Sequence, residues 1–204
     1  MIAIIDYGMG NIASIKNMLH KVGEKEVITS NSPDEISKSD KIILPGVGAF
    51  DMGMQMLGQS NLIDALNAHV QNGKPILGIC LGMQLLGKGS DEGTAQGLGY
   101  INFYCERIKP NDEHLLVPHM GWEYVKVENE DSPLVQNLPD DPRFYFVHSY
   151  HAVCKNKADV LITCDYGGTL VAAVQHGNVY GTQFHPEKSH KYGMKLLKNF
   201  VEMH

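Results

Sequence analysis

Gly78-Ile79-Cys80-Leu81-Gly82 places a nucleophile between two glycines, at the junction of an apolar run and a helical pattern. Small residues two before and two after let the chain turn sharply and expose the central side chain. A thiol at the start of a helix also meets the partial positive charge of that terminus, which favours the anionic form that attacks a carbonyl. The amide of Leu81 is then free to bind an oxyanion. The bland alternative is a buried cysteine between packing glycines. Phe184-His185-Pro186-Glu187 supplies what that alternative lacks. Pro186 biases His185 towards an extended backbone, where side chains two apart share a side, so Glu187 can orient the imidazole. Nucleophile, base and orienting carboxylate are the three parts of a triad, although nothing local forces the two motifs into contact.

Two other patterns suggest chemistry and fail on inspection. Gly8-Met9-Gly10-Asn11-Ile12-Ala13 fits a dinucleotide fingerprint after a strand, but the next strand ends in Thr29-Ser30-Asn31, where an acidic residue should hold a ribose. A tight turn explains it better. The chain has ten histidines, four of them His148, His151, His185 and His190. Their order matches no zinc spacing, so they read as polar lining of a pocket, with no metal and no cofactor expected. Trp122, the one tryptophan, is by default a core residue.

These groups need a scaffold, and the N-terminal half supplies alternating β and α patterns. Ile2–Ile5 is apolar and β-rich, followed by Ile12, Ile15, Leu19 and Val22 at helical spacing and a stop at Gly23. Strands are expected at 27–29, 42–44 and 75–79. Ser32-Pro33-Asp34-Glu35 reads as an N-cap, a proline at the first helical position and a capping-box glutamate. Leu62, Ile63, Leu66 and Val70 mark a helix ending at Gly73, and another starts at Cys80. Repeated βα units imply a parallel sheet covered on both faces. After about residue 98, strands at 124–127, 144–147 and 160–163 and a hairpin turning at Gly177-Asn178 favour antiparallel pairing. Tyr192, Leu196, Leu197, Phe200 and Val201 then form one face of a last helix, capped by Ser189. No linker or repeat interrupts this, so residues 1–204 read as one domain.

Composition narrows the classes. The chain has 204 residues, a formal charge of -6 and only two arginines, Arg107 and Arg143, so no basic stripe could neutralise a run of phosphates. The longest nearly apolar stretch, 75–87, is too short to span a bilayer and carries Gln84, and the strand pattern at Ile2 leaves no room for a signal peptide. Four cysteines without CxxC spacing suit reduced thiols in the cytoplasm.

Together with Pro45-Gly46-Val47-Gly48, His119-Met120-Gly121-Trp122, Tyr145-Phe146-Val147-His148-Ser149-Tyr150 and Gln183-Phe184-His185-Pro186-Glu187-Lys188, these motifs make the chain resemble the class I (triad) glutamine amidotransferases. More narrowly it is similar to the glutaminase subunit of imidazole glycerol phosphate synthase. The resemblance runs from Ile4-Ile5-Asp6-Tyr7-Gly8 to the last helix. It implies a flavodoxin-like α/β fold, a mostly parallel central sheet flanked by helices with a small antiparallel sheet beside it. It implies glutamine hydrolysis through a thioester on Cys80, with His185 and Glu187 completing the triad. The amides of Val47 and Leu81 would form the oxyanion hole, the Val47 peptide being turned away at rest. Gly48, Gln84, His148, Ser149 and Tyr150 fall on segments like those lining a glutamine pocket. Asn11, Trp122 and Lys188 fall on segments like those facing a (βα)8-barrel partner, which would use the ammonia to cleave and cyclise a histidine-pathway nucleotide. Glu123 stands where the family usually has asparagine, and similar subunits serve barrels that amidate surface-polysaccharide sugars. A stand-alone cysteine peptidase or γ-glutamyl hydrolase would use the same three residue types, and a silent binding module would not need them intact.

Overall fold

In a computed structural model, which describes residues 1–203, the first half is a ladder of strands and helices. β1 (Ile2–Ile5), β2 (Val27–Ser30), β3 (Lys41–Leu44) and β4 (Ile76–Ile79) alternate with α1 (Ile12–Lys21), α2 (Pro33–Lys38), α3 (Phe50–Gln59) and α4 (Ile63–Gln71). β1 and β4 are buried at every position, because helices cover both faces of a parallel sheet. α1 turns Ile15 and Leu19 inward, and Gly23, at φ 103°, ends the run where an L side chain would be strained. The apolar spacing did not announce α3. Its inward residues are Phe50, Gly53 and Leu57, and a glycine in the buried stripe blurs the helical period.

After α5 (Leu81–Leu85) come β5 (Phe103–Arg107), β6 (His119–Val127), β7 (Arg143–His148), β8 (Tyr150–Cys154), β9 (Val160–Asp165), β10 (Thr169–His176), β11 (Val179–Thr182) and α6 (His190–Glu202). β7 alternates between exposed or half-buried and buried positions, as a sheet wetted on one side requires. The expected small antiparallel sheet is not separate. The strand order is β2-β1-β3-β4-β11-β10-β9-β6-β7, with β8 branching from β10 and carrying β5, so all 11 strands belong to one sheet. β11 makes the join. It pairs antiparallel with β10 across the turn at Gly177, and parallel with β4, Gly181 lying opposite Gly78 and Thr182 opposite Ile79. Two apolar clusters pack the sheet.

Two caps differ from expectation. Ser32 makes no side-chain cap bond, and Glu35 instead accepts from the Ser30 hydroxyl at 2.5 Å. Ser189 is also no side-chain cap, since its hydroxyl is spent on the base described below. No helix among the described residues is long and apolar enough to cross a membrane.

Candidate active site

Cys80 follows β4 in a conformation that few L residues adopt, φ 56° and ψ -113°. Its amide donates to the Thr182 carbonyl at 2.7 Å, extending the β4–β11 pairing by one residue. The two glycines of the motif have separate reasons. A Cβ on Gly82 would run into the carbonyl of Leu44, and one on Gly78 would sit 2.6 Å from the carbonyl oxygen of Gly82. Chain therefore passes over chain at the elbow, and the thiol is what remains at its apex. α5 is only five residues long, shorter than the pattern from Cys80 suggests, and all five are buried.

His185 leaves the end of the neighbouring strand, β11. That adjacency brings two distant motifs together. The His185 amide donates to the Tyr145 carbonyl at 2.9 Å, while Ser189 Oγ donates to the His185 carbonyl at 2.6 Å and accepts from the Tyr145 amide at 3.0 Å. Both backbone groups of the base are thus pinned to β7. Glu187 lies in a short 3-10 turn, Pro186–Lys188, and not in the extended segment expected, yet its Oε1 still meets His185 Nδ1 at 2.8 Å. Burial pulls the imidazole pKa down, but the adjacent Cys80 and the Glu187 carboxylate outweigh it and push the value up to about 9. Nε2 meets no acceptor in hydrogen-bond geometry.

Cys80 and His185 open on one cavity of about 480 Å³, whose walls also include Val47, Gly48, Leu81, Gln84, His148, Ser149 and Tyr150. Every residue expected at the nucleophile, the oxyanion hole or the glutamine pocket lines it. Glu187 stands behind His185, off the wall. Tyr7 anchors the Val47 side by donating its hydroxyl to the Pro45 carbonyl at 2.7 Å, and burial followed by the Cys80 charge drives its pKa upward. The Val47 amide donates to no acceptor among the described residues, and Gly48 beside it has φ 112°.

A family model described as glutamine amidotransferase class-I matches residues 3–203. The chain belongs to the class-I glutamine amidotransferase family. Among its relatives, a Methanococcus maripaludis protein named imidazole glycerol phosphate synthase subunit HisH 2 is 53% identical over 99% of both chains. One of the same name from Pseudomonas aeruginosa is 51% identical over the full length of each. The structure of PurLQS from Thermotoga maritima shares the fold, with a TM-score of 0.74 at 20% identity over 98% of this chain and 96% of that one.

The amidotransferase keeps its other expected residues away from the cavity. Trp122 is 42% exposed and not in the core, meeting Tyr145 edge-on at 6.2 Å and stacking on His190 at 5.4 Å. The exposed Lys188 places its ammonium 5.8 Å from the Tyr145 ring. Asn11 precedes α1, which packs on the turn carrying Lys188, and Glu123 is half-buried beside Trp122. Two groups escaped the sequence reading. Glu92 lines the cavity from the loop after α5, its Oε2 accepting from the Phe50 amide at 2.9 Å. No spacing rule ties that loop to a pocket. Gln183 is wholly buried and donates to Cys80 Sγ at 3.8 Å, and its place directly before the histidine motif was the available signal.

Proposed function

We propose that this amidotransferase releases ammonia from glutamine by way of Cys80. With the proton already resting on the His185 imidazole, the Cys80 sulfur attacks the side-chain amide carbonyl, and the Leu81 amide meets the developing oxyanion. His185 returns the proton to the departing nitrogen, then activates the water that cleaves the thioester to glutamate. Glu187 holds the ring and stabilises its cationic form. The Val47 amide, once turned inward, is the second oxyanion donor. Glu92 suits the α-ammonium of glutamine by charge, while Gln84 and the 148–150 segment flank the substrate. The observation that carries this reading is the meeting of Cys80 with the His185–Glu187 pair at adjacent strand ends over one cavity. Cys80→Ser is expected to abolish glutamate production with the fold intact, and wild-type activity in that variant would overturn the assignment.

The names of its relatives, together with the exposed Trp122 and Lys188 and the half-buried Glu123, support a second subunit as the ammonia acceptor. We take this to be a (βα)8-barrel that closes an imidazole ring in histidine biosynthesis, the pair acting in the cytoplasm. Free ammonia protonates in water, so an enclosed route must connect the two sites. Glu123 favours a variant reading, in which the barrel amidates a polysaccharide sugar. Glutamate production should be measured for the chain alone, with a histidine-pathway barrel and its nucleotide, and with a polysaccharide-locus barrel. Strong activation by the first supports histidine biosynthesis, and activation by the second alone moves the function to sugar amidation. Full activity without either would remove the coupled subunit from the proposal.

A further inference from the structure

Behind the cavity runs a chain of polar contacts whose donor directions are fixed by one carbonyl. Tyr150 O can only accept, and His148 Nδ1 lies 2.8 Å from it, so that nitrogen carries the proton. Burial pushes the His148 imidazole pKa down to about 3 and that of His119 down to about 4, so both rings are neutral. His148 Nε2 is then a bare acceptor, and His119 Nδ1, 3.0 Å away, must be its donor. On the other side, the Gln84 side-chain amide donates to the same Tyr150 carbonyl at 3.3 Å and to Gln183 Oε1 at 3.0 Å. Gln183 Nε2 in turn donates to Cys80 Sγ. His119 itself touches none of the cavity. Its ring lies 4.8 Å from Phe146 and 3.9 Å from Tyr166, nearly parallel to both, and Tyr166 is tied by its hydroxyl to the Leu116 carbonyl. The remaining nitrogen, Nε2, carries no proton in this arrangement and lies 3.9 Å from Glu123 Oε2, beyond hydrogen-bond distance, so the chain ends at His119.

We propose that His119 is a positioning residue for glutamine hydrolysis. By donating to His148 it fixes that ring's orientation and proton arrangement, and His148 holds the Tyr150 carbonyl against which the Gln84–Gln183 amide pair, and through it Cys80, is aligned. Both nitrogens of His148 are spent inside the protein, so that residue shapes the pocket wall without donating to the substrate. Without the His119 donor, the buried Nε2 of His148 has no partner, and the competing tautomer sets a bare Nδ1 against the Tyr150 carbonyl.

This inference rests on the glutaminase reading of the cavity, and two variants separate positioning from packing. His119→Phe keeps a ring in the stack and removes the donor. His119→Asn removes the ring and keeps an N–H near the place of Nδ1. Positioning predicts that kcat/KM for glutamine falls roughly ten-fold or more in the Phe variant, as for a buried acceptor left unpaired. The Asn variant should retain more of it despite melting at a lower temperature. The reverse order, with Phe close to wild type and Asn the damaged one, would make His119 a packing residue. Long-range 1H–15N spectra of the wild-type chain test the same idea without turnover. Both His119 and His148 should appear as Nδ1–H tautomers, and an Nε2–H signal from either would overturn the relay. A wild-type chain that hydrolysed no glutamine under any partner would fail the functional reading, and the spectra would still decide the relay.

Discussion

Cys80 and Val47 face one cavity, and their backbones are held in opposite ways. At the Cys80 elbow backbone packs on backbone, with the Leu44 carbonyl under Gly82 and the Gly82 carbonyl under Gly78, and Cys80 is 8% exposed. Val47 is 44% exposed, its amide has no acceptor among the described residues, and Gly48 follows it with a left-handed φ of 112°. One wall of the cavity is therefore fixed by sterics. The other has a peptide with little to hold it. Under the coupling proposed above, a partner timing ammonia release would act on the second wall and not the first, since a coupled site needs an element with two accessible arrangements.

The largest effect expected from this contrast is at Gly82. Alanine there drives its Cβ into the Leu44 carbonyl, and no flexible side chain can give way. Destabilisation by more than about 3 kcal/mol is expected from such overpacking, with glutaminase activity lost. A denaturant midpoint close to wild type would show that the elbow is not sterically fixed. Val47→Pro should separate the walls. It removes the amide hydrogen proposed as an oxyanion donor, at an exposed position, while also fixing φ there and restricting Gly46 before it, so activity should fall on the order of 100-fold with a much smaller change in the denaturant midpoint. Unchanged glutamate production would leave Leu81 as the sole donor.

A smaller effect sharpens the fixed wall. His185 carries a raised pKa in the folded chain, because Cys80 and Glu187 outweigh the opposing effect of burial. A raised value means that the group stabilises the fold fully below the unfolded imidazole pKa of about 6.5, and that this stabilisation fades as pH rises through about 9. Glu187→Gln should thus cost on the order of 2 kcal/mol near pH 6 and almost nothing above pH 10. A stability difference that grows with pH would reverse the sign and remove the ion pair from the account.

How much of this was legible in the sequence follows the same division. The elbow could be read because its constraints are local: a glycine on each side of a nucleophile between strand and helix. The base and its carboxylate were legible as a pair, though the guessed geometry was extended and the actual one is a turn, since Pro186 is as suited to one as to the other. The meeting of Cys80 with His185 was legible through the family resemblance alone and not from local spacing. It depends on β11 pairing with β4, a long-range contact that no periodicity encodes, and the same pairing merges the expected antiparallel sheet into the parallel one. Trp122 was placed in the core by residue type, whereas strand alternation on β6 turns it outward. Glu92 escaped, and the role of His119 within its quoted motif went unread, because their partners, the Phe50 amide and His148, are brought to them only by the fold.

The smallest effect concerns strain at the nucleophile itself. At φ 56° and ψ -113°, Cys80 occupies a region that glycine reaches freely and a Cβ does not, and such residues store about 1 to 3 kcal/mol. Cys80→Ala and Cys80→Gly both delete the sulfur, so they differ only in that Cβ. At an ordinary position the glycine variant is the less stable, by roughly 0.5 to 1 kcal/mol, because its unfolded chain is freer. Here relief of strain should reverse the order, leaving Cys80→Gly more stable than Cys80→Ala by about 1 kcal/mol in chemical denaturation. Gly78 and Gly82 remain in both, so the elbow stays closed and the comparison isolates one backbone conformation. If alanine proved the more stable, the turn would hold Cys80 without strain, and the fixed wall would owe its geometry to the flanking glycines alone.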